Sequence, residues 1–165
     1  MNETDRAYER ALSFLERRER TESEVNRKLL ESGFSERAAE TALERLRDAG
    51  LLDDAGYAAR YLEALITKGR GRLRIAAEMR RKGLKEELVR NTLEDGFSSE
   101  TERTMAAEAA RRVMAEVSAG TDPRKAAAKV SRRLVSLGFP YEVIGDAMEK
   151  LRAGIAITEQ AEEGY

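Results

Sequence analysis

A run of cations in the middle of the chain offers the clearest binding chemistry in the sequence. Residues 60–90 contain 10 basic and 4 acidic side chains, although the whole chain of 165 residues has a net charge of only −1. An acidic protein surface or a phosphate backbone is the natural complement of such a segment. The cations that we predict to contact a partner are Lys68, Arg70, Arg72, Arg74, Arg80, Arg81, Lys82 and Lys85. A run of charges is equally the composition of an ordinary solvated helix face, and the segment by itself leaves both interpretations open.

Two glycines, Gly69 and Gly71, flank Arg70 within this basic segment. Glycine ends helices and allows the chain to turn, which is the interpretation that we favour. The alternative is that backbone amides between basic residues receive a carboxylate or a phosphate. A phosphate-binding loop of the nucleotide-hydrolase type needs four residues between its glycines and then Lys-Ser or Lys-Thr, and this pattern is missing.

Two other pairs have spacings that suggest chemistry. Asp53 and Asp54 are adjacent carboxylates, but at the start of a helix such residues more often cap the helix, and we expect Asp54 to do so. Tyr57 and Tyr61 lie four residues apart on one helix face and resemble a platform for stacking bases. Ala58 and Leu62 accompany them, so packing in the core is the favoured interpretation.

Several classes of function are excluded by residues that the sequence lacks. The chain has no cysteine and no histidine, which removes disulfides, the usual zinc, haem and copper ligands, and nucleophilic catalysis by Ser-His or Cys-His pairs. No apolar run approaches the length of a membrane span, and the charged start is not a signal peptide. We therefore expect a cytoplasmic protein that is not an enzyme, with no cofactor, no metal and no membrane contact.

The elements that position the basic segment belong to a repeat marked by Gly33, Gly83 and Gly138. Each glycine is preceded by an apolar pair at helical spacing and is followed at once by an apolar residue. The pairs are Val25 and Leu29, Ile75 and Met79, and Val130 and Leu134; the following residues are Phe34, Leu84 and Phe139. Two helices joined by a glycine turn, with a third helix before them, explain this register. The predicted fold is all-α, with three tandem three-helix repeats that form an elongated array, straight or curved.

The repeat register also sets the predicted boundaries. We place the repeats at 5–50, 53–95 and 98–152, with the second as the basic repeat and 153–165 as a frayed C-terminal tail. Thr21 with Glu24, and Ser99 with Glu102, have the spacing of capping boxes. Arg80 occupies the position of Leu30 and Val135 in the other repeats, which favours a binding role for the second repeat.

The stretch from Leu51 to Leu84 resembles the signature of the RecX family. The matching elements are Leu52-Asp53-Asp54, Tyr57-Ala58, Tyr61, Lys68-Gly69-Arg70-Gly71, Arg74-Ile75 and Lys82-Gly83. Two residues depart from the family pattern, since Arg70 stands where an aromatic residue is frequent and Leu65 where arginine is common. The resemblance covers residues 5–152 and implies three-helix repeats.

The resemblance also implies a function. RecX proteins are similar in binding the groove of the RecA nucleoprotein filament, where they restrain ATP turnover and strand exchange in recombination and repair. We expect a monomer that binds the RecA filament through the basic segment, and a secondary contact to DNA phosphates is left open. The alternative is direct DNA binding, because two helices that meet at a tight Gly-Phe turn resemble a helix-turn-helix. The helices that follow the turns are not basic, which disfavours that alternative.

Overall fold

A computed structural model describes the backbone of residues 2–162 and the side chains of residues 2–154. Nine helices and no strand occur in this part of the chain, which confirms the all-α prediction. The helices are α1 (Glu3–Leu15), α2 (Glu22–Glu31), α3 (Glu36–Asp48), α4 (Asp54–Thr67), α5 (Arg72–Arg81), α6 (Glu86–Gly96), α7 (Ser99–Ala115), α8 (Pro123–Leu137) and α9 (Tyr141–Glu162).

The helices divide into two compact units, and the basic repeat is split between them. Unit 1 contains Met1–Leu62 and Ala77–Thr92, and unit 2 contains Glu63–Ala76 and Leu93–Tyr165. Helices α4, α5 and α6 are therefore each divided between the two units. The predicted boundaries of the three repeats fall between helices α3 and α4 and between α6 and α7.

The glycine turns that defined the repeat are three copies of one helix ending. Gly33, Gly83 and Gly138 have φ angles of 86°, 77° and 87°, a left-handed conformation that glycine adopts without strain. In each turn the glycine N–H donates to the carbonyl three residues back. The next N–H donates to the carbonyl five residues back, as from Phe139 to Leu134 at 3.3 Å. This pair of bonds is the Schellman motif, which satisfies carbonyls at the helix end.

The apolar stripes that precede the turns form the cores of the units. Ile75 and Met79 are fully buried, as their helical spacing predicts. The core of unit 1 consists of small and aliphatic side chains of α1, α2 and α3, together with Leu52 from the segment that follows α3: Ala7, Ala11, Val25, Leu29, Ala38, Ala39, Ala42, Leu43, Leu46 and Leu52. The core of unit 2 has the same character and adds Phe139: Ala106, Ala110, Val113, Val130, Leu134, Leu137, Phe139, Val143, Ile144 and Ala147.

Side-chain caps begin the helices largely as the sequence predicts, with errors at Ser99 and at Asp54, whose contact is described below. Thr21 and Glu24 form the predicted capping box. The predicted box at Ser99 is wrong, because Ser98 is the N-cap of α7 and its hydroxyl accepts the N–H of Thr101 at 3.1 Å. Adjacent serines offer the same side chain at neighbouring positions, so the capping pattern alone does not distinguish them.

Helix α9 extends beyond the predicted end of the third repeat at residue 152 and continues to Glu162. The segment contains no proline and only Gly154 to weaken the helix, so nothing in it stops propagation. The predicted frayed tail thus includes ten helical residues, 153–162, and residues 163–165 lie outside the described part of the chain.

Candidate partner-binding surface

The eight predicted cations fall into two groups of four, one in each unit. Unit 2 holds Lys68, Arg70, Arg72 and Arg74, and unit 1 holds Arg80, Arg81, Lys82 and Lys85. Exposure divides them again. Lys68, Arg80, Arg81 and Lys85 are exposed, whereas Arg70, Arg72, Arg74 and Lys82 are half-buried. The half-buried cations are engaged in the contacts described next.

In unit 2 the start of α5 is attached to the end of α8 through main-chain hydrogen bonds. The N–H of Gly71 donates to the carbonyl of Leu137 at 2.8 Å, and the N–H of Leu73 donates to that of Gly138 at 3.0 Å. A Cβ on Gly71 would lie 2.5 Å from the carbonyl carbon of Gly138, so only glycine permits this approach. Because the Gly71 amide already donates to Leu137, it is not available to an anion. The structure therefore supports the interpretation of these glycines as a turn rather than as an anion-binding site.

Arg72, one of the cations predicted to contact a partner, forms several contacts within unit 2. Its backbone N–H donates to Glu102 Oε1 at 2.7 Å, and its Nε lies 3.1 Å from Glu102 Oε2. The guanidinium also donates to the carbonyls of Leu93 and Phe97 and lies over the Phe97 ring, 5.3 Å from its centroid. Glu102 is buried, so this carboxylate and Arg72 stabilise each other in the interior.

Arg74 and Arg70 also lie against unit 2. Arg74 Nη1 donates to the carbonyl of Ser136, near the end of α8, at 2.9 Å. The Nε of Arg70 is buried and has no hydrogen-bond partner within the described part of the chain. Both side chains are half-buried, so neither is fully available to a partner.

Unit 1 contains a corresponding contact between the start of a helix and a glycine turn, formed by Thr21 and Lys82. Thr21 Oγ1 donates to the carbonyl of Lys82 at 2.6 Å, just before the Gly83 turn. The Lys82 ammonium lies 3.2 Å from the carboxylate of Glu24, which also accepts from Arg18 at 3.1 Å. Thr21 corresponds to Gly71 in the repeat register. The same helix position thus contacts a glycine turn in both units.

The buried carboxylate of Glu24 has a pKa below its ordinary value. Burial acts to raise this pKa, but hydrogen bonds from the Thr21 N–H, Arg18 and Lys82 outweigh burial because they stabilise the charged form. The unfolded chain therefore binds more protons at this group than the folded protein. The stability that Glu24 contributes is complete above the unfolded value of 4.5 and is lost as the pH falls through the folded value.

We expect Glu24→Gln to lower the free energy of unfolding at pH 7 by about 1–3 kcal/mol, since hydrogen bonds to a charged group are lost. The difference from the wild type should shrink at an acidic pH below the folded pKa of Glu24, where both states of the wild type are protonated. Urea denaturation at the two pH values measures the effect. The control is Glu31→Gln, because Glu31 is exposed and lies 3.9 Å from Arg27. An equal loss at both pH values would contradict the charge argument.

The paired carboxylates Asp53 and Asp54 are structural, although their roles differ from the prediction. Asp53 caps α4, because its Oδ1 accepts the N–H of Gly56 at 2.9 Å. Asp54 accepts the N–H of Glu22 at 2.9 Å, at the first turn of α2. Burial raises the pKa of Asp54, which that hydrogen bond partly offsets. No group of three or more metal-ligating side chains occurs among the described residues.

The tyrosine pair packs in the protein as predicted. Tyr57 is buried, Tyr61 is half-buried, and their ring centroids lie 5.7 Å apart. The Tyr61 hydroxyl lies 3.3 Å from Glu78 Oε2. Burial and the charge of Glu78 raise the pKa of Tyr61. A ring held in this way is not a free platform for bases.

Arg80 does not mark the second repeat as special, because its position in the repeat is exposed in every copy. Leu30 and Val135, the apolar counterparts, are 39% and 48% exposed. The position precedes the glycine turn by three residues and points away from the core. Arg80 forms a bidentate ion pair with Glu86, in which Nε and Nη2 each lie 2.6 Å from one carboxylate oxygen. The more available cations of unit 1 are Arg81, whose ion pair with Glu78 is 3.9 Å long, and Lys85.

A second basic surface, which the sequence analysis missed, lies on α8. This helix has five cations and no carboxylate: Arg124, Lys125, Lys129, Arg132 and Arg133. All five are exposed. Residues 91–165 together contain 10 basic and 13 acidic side chains, so an average over that window conceals the helix. A count restricted to each predicted helix would have found it.

Comparison with known families identifies the group to which these helices belong. The model of the first three-helix domain of RecX matches residues 7–46, and that of the second three-helix domain matches residues 53–93. A regulatory protein RecX from Chromohalobacter salexigens is 33% identical over 138 residues, which cover 84% of this chain and 88% of that protein. The chain belongs to the RecX family. A regulatory protein RecX from Mycolicibacterium vanbaalenii is 34% identical over 128 residues, or 76% of this chain and 69% of that protein.

Solved structures of the RecX family agree with the helical fold. A crystal structure of a regulatory protein RecX has a TM-score of 0.75 at 30% identity and covers 87% of this chain and 72% of that chain. RecX from Lactobacillus salivarius has a TM-score of 0.82 at 22% identity, over 92% of this chain and 97% of that chain. The described helices include none with the length and apolar character needed to cross a membrane.

Proposed function

We propose that this protein binds the RecA nucleoprotein filament and inhibits its ATPase and strand-exchange activities in recombination and DNA repair. Membership of the RecX family, whose relatives are named regulatory proteins, is the observation that carries the proposal. We place the protein in the cytoplasm as a monomer that acts by binding and catalyses no reaction itself. In this proposal the SOS response to DNA damage is the setting in which it acts.

The exposed cations Arg81 and Lys85 are the residues of unit 1 that we assign to the partner. Both are exposed on or just after α5. Lys82 is held by Glu24 and Arg80 by Glu86, so these two have less freedom to contact another molecule. A RecA filament presents acidic protein surface and DNA phosphates, and attraction to either weakens as salt screens the charges.

We expect Arg81→Glu/Lys85→Glu to weaken inhibition of the RecA ATPase by about tenfold in concentration, mainly through slower association. The control is Arg17→Glu/Arg27→Glu, which reverses two exposed charges elsewhere in unit 1. RecA ATPase and strand exchange, measured while each protein is titrated, test the proposal. If the two variants behave alike, the basic segment is not part of the interface. If the wild type has no effect on RecA, the proposal of RecA regulation is refuted.

Direct DNA binding remains the alternative, and the cations of α8 are the observation that favours it. A DNA-binding protein shifts naked DNA at the concentrations at which it acts, and its affinity falls steeply with salt. A filament regulator alters the RecA ATPase at concentrations that barely shift naked DNA. The same titration, repeated with DNA alone, distinguishes the two.

A further inference from the structure

An open cleft of about 630 Å³ lies within unit 2, between the end of α4 and the helices α7 and α8. Four cations line it: Lys68, Arg112, Lys129 and Arg133. Arg112 lies 3.5 Å from Glu108, four residues earlier on α7. The other three cations form no ion pair with any carboxylate whose side chain the structure describes. The cleft thus contains cations that are available to an anionic partner.

The floor of the cleft is aliphatic. Ile66, Met105 and Ala109 are half-buried and line it together with the buried Val113 and Leu137. Apolar surface that remains partly exposed beside unpaired cations is suited to an amphipathic segment. Such a segment places carboxylates at the rim and small aliphatic side chains on the floor.

Two features disfavour a nucleic acid as the occupant. No aromatic side chain is among the residues that line the cleft, so bases have no ring on which to stack. The carboxylates of Glu108 and Glu116 also line it, and a nucleic acid carries a charge on every nucleotide and cannot avoid them. A peptide can place its carboxylates only where cations face it.

We propose that the cleft of unit 2 binds an acidic, amphipathic segment of a partner protein, with carboxylates on Lys129 and Arg133 and aliphatic side chains on the floor around Ala109. The inference deepens the proposed function, because it assigns unit 2 a contact of its own with the regulated partner. Long-range attraction comes from the five cations of α8, and the aliphatic floor selects among anionic partners.

The test uses the full-length protein and two probes. The first is a fluorescein-labelled helical peptide of about 16 residues, with glutamate on one face and leucine and alanine on the other. The second is the RecA filament on single-stranded DNA. We expect Lys129→Glu/Arg133→Glu to raise the Kd for both probes by about tenfold or more. The matched control is Lys125→Glu/Arg132→Glu, which makes the same charge change on the same helix at exposed residues outside the cleft. It should change Kd by less than about threefold.

A further variant separates docking from simple attraction. Ala109→Arg adds a cation but fills the floor, so it should weaken peptide binding about fivefold or more, whereas it would strengthen a purely electrostatic site. Circular dichroism confirms that each variant is folded.

The outcomes keep the two proposals apart. If the cleft variant and its control behave alike on both probes, the inference is overturned, although filament binding by the wild type would leave the proposed function standing. If the cleft variant instead loses binding to an oligothymidylate and not to the peptide, the cleft is a phosphate site and the inference is also overturned. If the wild type fails to bind the filament while the peptide still distinguishes the variants, the inference stands and RecA regulation fails.

Discussion

Replacing Gly138 by alanine should lower the free energy of unfolding by about 2–5 kcal/mol, because backbone strain and a steric clash act together. The φ angle of Gly138 is +87°, a conformation that alanine adopts only at a cost. The added Cβ would also lie 2.5 Å from Arg74 N and 2.9 Å from its Cα, in the first turn of α5. The main chain of α5 must then move away from α8. Urea denaturation measures the loss.

The chain supplies controls for each part of this effect. Gly33 has a φ angle of +86°, but nothing in the described structure lies within 4 Å of its Cβ position. Gly33→Ala should therefore cost only the strain, about 1 kcal/mol. Gly145 lies within α9 and has neither feature, so Gly145→Ala should leave stability unchanged or raise it slightly. An equal loss at Gly138 and Gly33 would show that contact with α5 contributes nothing.

A substitution at Gly71 tests the same contact between α5 and α8, this time from the α5 side. Its φ angle lies outside the left-handed region, so alanine adds only the clash with the Gly138 carbonyl. Because both substitutions separate α5 from α8, the double variant should lose less stability than the sum of the single losses. Simple additivity would mean that the two glycines act independently.

The repeat could be predicted from the sequence because its signals are local. A left-handed glycine, such as Gly33, followed by an apolar residue and preceded by an apolar pair at i and i+4 specifies a helix ending within ten residues. The Thr21 box is equally local, since its two bonds span three residues. The misplaced cap at Ser99 shows the limit of such signals, because Ser98 carries the same side chain.

The junctions between helices could not be predicted in the same way. The N–H of Glu22 meets Asp54, and that of Arg72 meets Glu102, across 32 and 30 residues of sequence. In both cases a carboxylate of a later helix caps the start of the second helix of the preceding repeat. The donors are main-chain groups that every residue type carries, so the side chain at position 22 or 72 does not reveal them.

Charge in the sequence does not indicate exposure at every predicted site residue, since four of the eight cations are half-buried. Arg72 and Lys82 carry charge because buried carboxylates, Glu102 and Glu24, require partners. Arg80 replaces apolar residues at a position that is exposed in all three repeats. A count of charges does not distinguish these cases, because whether a cation is exposed or paired depends on which side chains lie next to it in the folded protein.

Breaking the Arg72–Glu102 pair should be among the most damaging single changes in unit 2. Arg72→Ala leaves the Glu102 carboxylate, whose side chain is only 3% exposed, with the backbone N–H of residue 72 as its remaining partner there. We expect a loss of about 2–4 kcal/mol, somewhat below the usual cost for a fully buried pair because the Arg72 side chain is 28% exposed. Arg72→Lys should recover only part of this loss, since an ammonium cannot reach Glu102 and the Phe97 carbonyl together.

Two comparisons decide whether the pair or the bulk of the arginine matters. Arg81→Ala removes an exposed arginine from the same helix and should cost less than about 0.5 kcal/mol, as ordinary surface changes do. Arg72→Met/Glu102→Leu should be more stable than Arg72→Ala, because it removes both charges and keeps apolar volume. If Arg72→Ala matches Arg81→Ala in urea denaturation, the interior link is refuted and Arg72 becomes available to a partner. If the expected order holds, charge reversal at Arg72 should also destabilise unit 2, so lost inhibition in that variant would not by itself locate the surface that binds the filament.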